Sequence, residues 1–209
     1  MPLRPLCPRC PSAVTESGGI WACSHHGTVP PLWRTSESSY DAFGAHLGRA
    51  EGFPTYLPWP MRPAWRVTDF GVVTADKGAQ ATLTAVAGVT EHDGPVEVVV
   101  VSEEPGIGLG ARCAGTVHSD PGAEIAGSPP TVRVRIDSQS VPLWAIGTAE
   151  EAGVDRSVVA GEAGGRWLWL VIRPASAIML LRTDWRLADV SGMGVPLLEL
   201  PFGGPPPSW

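Results

Sequence analysis

The sequence predicts a mainly β protein, an antiparallel sheet that is α+β at most, with a small zinc-ribbon-like module at its N-terminus. Three observations carry that prediction. Apolar and charged residues alternate strictly over Thr131–Asp137, β-branched or aromatic runs fill Val96–Val101 and Trp167–Ile172, and two Cys/His knuckles stand within the first 26 residues. The 25 glycines and 22 prolines, spread along 209 residues, favour turns over long helices.

The first element is the metal module, residues 1–32. Cys7-Pro8-Arg9-Cys10, twelve intervening residues and Cys23-Ser24-His25-His26 have metal-site spacing. Two ligands at i and i+3 fit one tight turn whose amides face the sulfurs, and a second such turn completes a tetrahedron around zinc. The predicted ligands are Cys7, Cys10, Cys23 and His26. His26 repeats the i+3 spacing of the first knuckle, His25 is the reserve, and Gly27 suits the chain reversal that follows. Four protein ligands leave no position for water, so the zinc is expected to be structural. A segment this short cannot order itself by apolar burial, so the metal is expected to fold it. A disulfide needs an oxidising compartment, and a redox pair at Cys7 and Cys10 should open a helix, which Pro11 to Gly19 does not suggest.

Residues 33–64 read as a short helix and a connector. Ser36, Ser38 and Ser39 precede Tyr40, Phe43 and Leu47 at helical spacing, and Ser38 with Asp41 has the form of a capping box. Gly44 and Gly48 weaken the helix. The prolines within Phe53–Pro60 exclude regular helix and central strand, and predict an ordered connector docked through Trp59 and Trp65.

Residues 65–202 read as the β domain. Further strands are expected near Val67–Thr74, Ala81–Ala87, Val141–Ile146, Ser157–Ala160, Ala177–Leu181, Leu187–Val190 and Leu197–Leu200. His92-Asp93-Gly94-Pro95, Gly164-Gly165 and Gly192-Met193-Gly194 supply turns at intervals suited to antiparallel neighbours. Residues 203–209, rich in glycine and proline, are expected to form a flexible tail.

Charge and hydropathy exclude whole classes of function. The formal net charge of -6 argues against nonspecific binding along duplex nucleic acid, an affinity that comes from phosphate neutralisation. The longest apolar stretch, Trp167–Leu181, is interrupted by Arg173 and Pro174 and falls short of a bilayer span. No apolar signal core stands near the start, so a cytoplasmic protein away from membranes is expected.

Glu103 to Arg112 follows a strong strand and carries Gly106, Gly108 and Gly110 at every second position. Their amides, with Arg112, have the composition of an anion-binding loop. The lysine and hydroxyl of a Walker loop are absent, and a bent connection with close backbone packing is the competing reading. Glu103 and Glu104 are adjacent on a strand, point to opposite faces and make a poor acid–base pair. His46, His92 and His118 show no triad spacing, Cys113 reads as a small buried residue, and no catalytic residue is assigned. Trp167 and Trp169 share a strand face, where core packing competes with an aromatic ligand platform.

Taken together, Cys7-Pro8-Arg9-Cys10, Trp21-Ala22-Cys23, His26-Gly27-Thr28-Val29, Pro58-Trp59-Pro60, Gly106 to Arg112, Ala160-Gly161-Glu162-Ala163 and Trp167-Leu168-Trp169 form a specific set. The chain resembles, over nearly its whole length, an uncharacterised family (a domain of unknown function) of high-GC Gram-positive bacteria, the actinobacteria. The resemblance implies the same two metal knuckles and His26 rather than His25, adds nothing to a thiol mechanism at Cys113, and carries over no catalytic residue. The expected function is that of a cytoplasmic protein with structural zinc, binding a protein partner or small ligand without catalysis. One alternative is an enzyme on a small anionic or phosphorylated substrate held at Gly106, Gly108, Gly110 and Arg112, with Glu104 or Glu162 as acid or base. The other is weak nucleic-acid binding through the ribbon, where Arg4, Arg9 and Arg34 face only Glu16.

Overall fold

In the computed structural model, which describes residues 3–122, 125, 127–149, 155–182 and 185–209, the period-two segments become one long sheet. The elements run β1 (Arg4–Leu6), β2 (Thr15–Ser17), β3 (Ile20–Cys23), β4 (Gly27–Thr28), β5 (Leu32–Arg34), α1 (Tyr40–Arg49), β6 (Tyr56–Pro58), β7 (Arg66–Ala75), β8 (Gly78–Thr90) and β9 (Gly94–Glu103). They continue with α2 (Leu109–Ala114), β10 (Val132–Ile136), β11 (Gln139–Ala145), β12 (Ser157–Ala163), β13 (Arg166–Arg173) and β14 (Arg186–Asp189). Eleven strands are ordered β1-β5-β7-β8-β9-β13-β12-β11-β10-β14-β6, and β2-β3-β4 form a separate small sheet. Neighbours in the large sheet are antiparallel except β10 and β14, which are parallel.

The central strands take the continuous apolar runs because both of their faces are covered. On β9, Val98 and Val100 enter one core and Val99 and Val101 the other. β10 keeps its alternation: Val132, Val134 and Ile136 are buried while Arg133 and Arg135 face solvent. Gly164 and Gly165, at φ 60° and 80°, close the β12–β13 hairpin in a two-residue turn that demands positive φ. The hydroxyls of Thr82 and Thr84 donate to the carbonyls of Pro54 and Tyr56, so the segment carrying β6 lies back over β8. This curl encloses the larger core, and α2 covers the outer one. No helix among the described residues is long and apolar enough to cross a membrane.

Several elements differ from expectation. Ala177–Leu181 and Leu197–Leu200 were expected as strands; they lie within or across tight 3-10 turns at Ala175–Arg182 and Val195–Glu199. Short apolar runs have no period that separates strand from helix, and Pro174 and Pro196 stand just ahead of the two runs, where proline suits the start of a helical turn. Ser39, not Ser38, caps α1, accepting from the Ala42 amide at 3.3 Å, while the Ser38 hydroxyl donates to the Thr68 carbonyl. His46 enters the core in place of Tyr40, stacking on Phe43 at 5.6 Å with Thr55 on its Nε2.

The tail is docked rather than loose. The Gly203 amide donates to Val67, Arg34 and Arg173 donate to the carbonyls of Pro207 and Ser208, and the Trp209 ring lies 4.2 Å and 4.4 Å from the guanidiniums of Arg34 and Arg112. A terminal indole supplies the cation–π contact that the glycine and proline count conceals. The expected boundaries at 32 and 64 also cross one structure, since β1, β5 and β6 are strands of the same sheet as β7–β14.

Candidate metal centre

Two short turns build the candidate site. The first, Cys7–Cys10, leaves β1, and the second, Cys23–His26, links β3 to β4, whose pairing sets Cys23 opposite Gly27. The amide of Arg9 donates to the Cys7 sulfur at 3.4 Å and that of His25 to the Cys23 sulfur at 3.5 Å, the amide-to-sulfur pattern expected of metal knuckles.

The Sγ atoms of Cys7, Cys10 and Cys23 and a ring nitrogen of His26 all lie within 4.8 Å of one another. His26 Nδ1 is 3.5 Å from Cys7 Sγ and 3.6 Å from Cys23 Sγ, and Cys10 Sγ is 3.6 Å from Cys23 Sγ. A tetrahedron with metal–sulfur bonds of about 2.3 Å has edges of roughly 3.7 Å, so the donor set fits one tetrahedral ion. All four cysteines are free thiols. His25 stays outside the cluster, its Nδ1 within 3.4 Å of the Ser12 hydroxyl and 3.1 Å of the Ser24 hydroxyl.

The thiols are unequally tuned. Burial pushes Cys7 up to about 11, whereas the hydroxyl and amide of Ser12 overcome burial at Cys10 and hold it down to about 6. The amide of His25 lowers Cys23. A buried thiol whose charged form lacks hydration is a group that a divalent cation can ionise, which matches the donor chemistry of the cluster.

The glycine segment lies against the first knuckle. Arg9 donates to the carbonyls of Gly106 at 2.6 Å and Ile107 at 3.1 Å, and Arg112 returns a bond to the Cys7 carbonyl at 2.5 Å. The amides of Leu109 and Gly110 are taken by the buried carboxylate of Glu103, at 2.8 Å and 3.2 Å, and the Gly106 amide by Asp120. An internal carboxylate thus stands where an external anion would have to sit. Arg112, half-buried against Trp209, is likewise committed, and burial lowers its pKa. Gly110 is glycine because the Trp169 indole lies on it: a Cβ there would approach Trp169 Cδ1 to 2.2 Å. Gly106, Gly108, Gly110 and Arg112 therefore form a docking joint for the Cys7–Cys10 turn, not an open cradle.

Other sequence-selected residues are also placed by packing. Cys113 is fully buried, and burial raises its thiol pKa far above the ordinary value. Trp169 is fully buried and Trp167 partly so against the same core, so the pair is no exposed platform. Glu104 pairs with Arg166 at 3.0 Å, and Glu162 accepts from the Gly165 amide of its own hairpin. The role of Glu103 was missed because it depends on two amides six and seven residues ahead.

A protein-family model described as a family of unknown function, DUF6758, matches residues 1–209. No curated protein and no solved structure gives a significant match.

Proposed function

We propose, from the premise that the chain belongs to the DUF6758 family of unknown function, that it is a zinc protein whose metal is structural and whose β domain binds a partner or small ligand without catalysis. The observation that carries the reading is the closed donor set, three sulfurs and one imidazole nitrogen within 4.8 Å of one another. Three thiolates and an imidazole in tetrahedral array suit zinc, and four protein donors leave no coordination position for a reacting water. The contacts of Arg9 and Arg112 with the glycine segment favour a structural role, because order at the knuckle is passed directly to α2 and β9. Thiol ligands also favour a reducing compartment, which supports a cytoplasmic location.

Elemental analysis of protein purified under reducing conditions tests this. About one zinc per chain is expected, lost on Cys10→Ser. Chelation should expose residues 7–29 to amide exchange while β8, β9 and β13 stay protected. Protein without metal whose knuckles are equally protected would overturn the proposal.

A further inference from the structure

Toward the far end of the strand order from the metal module, β10, β11 and β14 form one wall of an open cavity of about 500 Å³. Arg133, Arg135, Arg182 and Arg186 line it, together with Ser140 and Trp185. No carboxylate lines it among the described residues. The chain holds 21 acidic residues against 15 basic ones, yet this concavity concentrates four cations with no acid among its described lining residues. Five other arginines are committed: Arg34 to Asp69, Arg166 to Glu104, Arg173 to Glu97, and Arg9 and Arg112 to carbonyls. Among the described residues none of the four cavity arginine side chains has an ion-pair or hydrogen-bond partner.

The fold brings these charges together in a way that works against its own stability. Alternation on β10 sends Arg133 and Arg135 to one solvent face, and the parallel pairing with β14 sets Arg135 directly beside Arg186. Neighbouring strands are about 4.8 Å apart, and like charges in register repel. Arg182 enters from the 3-10 turn that precedes β14. An anion would turn that repulsion into attraction.

We propose that this cavity binds a compact oligophosphate, an anion with at least two phosphoryl groups, either free or as the phosphate chain of a nucleotide. Guanidinium forks match phosphoryl oxygens in pairs, and four of them exceed what a single monoanion neutralises. The volume is that of a small-molecule site. A long polyanion would meet the repulsion of a chain with net charge -6 beyond the cavity, which favours the compact ligand. The inference deepens the binding-protein reading by naming a ligand class, and it rests on residues apart from the metal donors.

Titration calorimetry of the full-length zinc-loaded protein tests it, with inorganic triphosphate, a nucleoside triphosphate, citrate and a short single-stranded oligonucleotide as probes. Triphosphate should bind saturably at one site, with affinity falling as salt rises. Arg135→Gln and Arg186→Gln should each weaken it roughly tenfold or more, the loss of a charge-assisted bond. Unliganded Arg135→Gln should melt no lower than the parent, because it relieves the opposition to Arg186; this separates lost binding from lost folding. Equal affinity for both triphosphates assigns the free oligophosphate, and tighter nucleotide binding assigns the nucleotide. Absence of saturable triphosphate binding, indifference to both substitutions, or preference for citrate or oligonucleotide would overturn the site and leave the zinc reading standing. Release of orthophosphate from bound triphosphate would confirm the site and overturn the non-catalytic reading.

Discussion

Glu103→Gln turns a buried contact into a pH-dependent measurement. The Glu103 carboxyl, at the end of β9 beneath α2, is pushed by burial from 4.5 up to about 7, against the lowering pull of the Gly110 and Leu109 amides. That difference is a preference for the proton of about 3 kcal/mol. Because the folded pKa lies above the unfolded one, the stability this group contributes is complete below 4.5 and is lost as pH rises through about 7. His46 runs the other way: burial lowers it from 6.5 to about 3, so its contribution is complete above 6.5 and lost as pH falls toward 3. The two windows overlap, and the raw stability curve of the parent protein mixes them. The difference between parent and Glu103→Gln does not, since His46, Asp69 and Glu97 titrate in both. Glutamine keeps an acceptor for the amides but does not titrate. Denaturant unfolding followed by tryptophan fluorescence should show the stability of the parent relative to the variant declining by up to about 3 kcal/mol between about pH 4.5 and about pH 7.5. A difference constant across that range would show that the Glu103 carboxyl titrates alike in folded and unfolded chains, refuting its buried place at α2.

Two further substitutions probe how the joint is packed. Gly110→Ala forces a methyl toward a fully buried Trp169 ring and should destabilise by about 1–3 kcal/mol in denaturant unfolding; an unchanged midpoint would contradict the close approach. Trp209→Ala removes the ring shared by Arg34 and Arg112 and should cost about 1–2 kcal/mol while raising amide exchange across 203–209; unchanged exchange would mean that the tail is held without its indole.

The parts that were legible are those whose signal is local. Strict alternation identified β10, unbroken β-branched runs identified β9, and spacing alone picked Cys7, Cys10, Cys23 and His26, which the fold brings together. What stayed hidden depends on partners distant in the chain. The tail looked mobile because nothing within 203–209 announces that Arg34 and Arg112 converge on Trp209. That His46 belongs to the core was hidden because its hydrogen-bond partner, Thr55, lies nine residues on, in the connector. Arg133 and Arg135 were placed on a wet face by alternation, but only the parallel register with β14 brings Arg186 beside them. The 3-10 turns were hidden for a different reason, since their apolar runs are too short to carry a period.

The glycine segment shows how one motif supports two readings until burial separates them. Gly106, Gly108 and Gly110 after a strand suit either an anion or a tight backbone crossing, and local pattern is equal for both. The contacts of Glu103 decide between them. The Glu103 carboxyl, fully buried, accepts from the Leu109 and Gly110 amides, and so occupies the position and the donors that an external anion would need. With the amides satisfied from inside, the outward carbonyls of Gly106 and Ile107 are left to accept from Arg9, and the Cys7–Cys10 turn seats on them. The proposed anion site lies instead at the cavity of Arg133, Arg135, Arg182 and Arg186, whose side chains have no internal partner among the described residues.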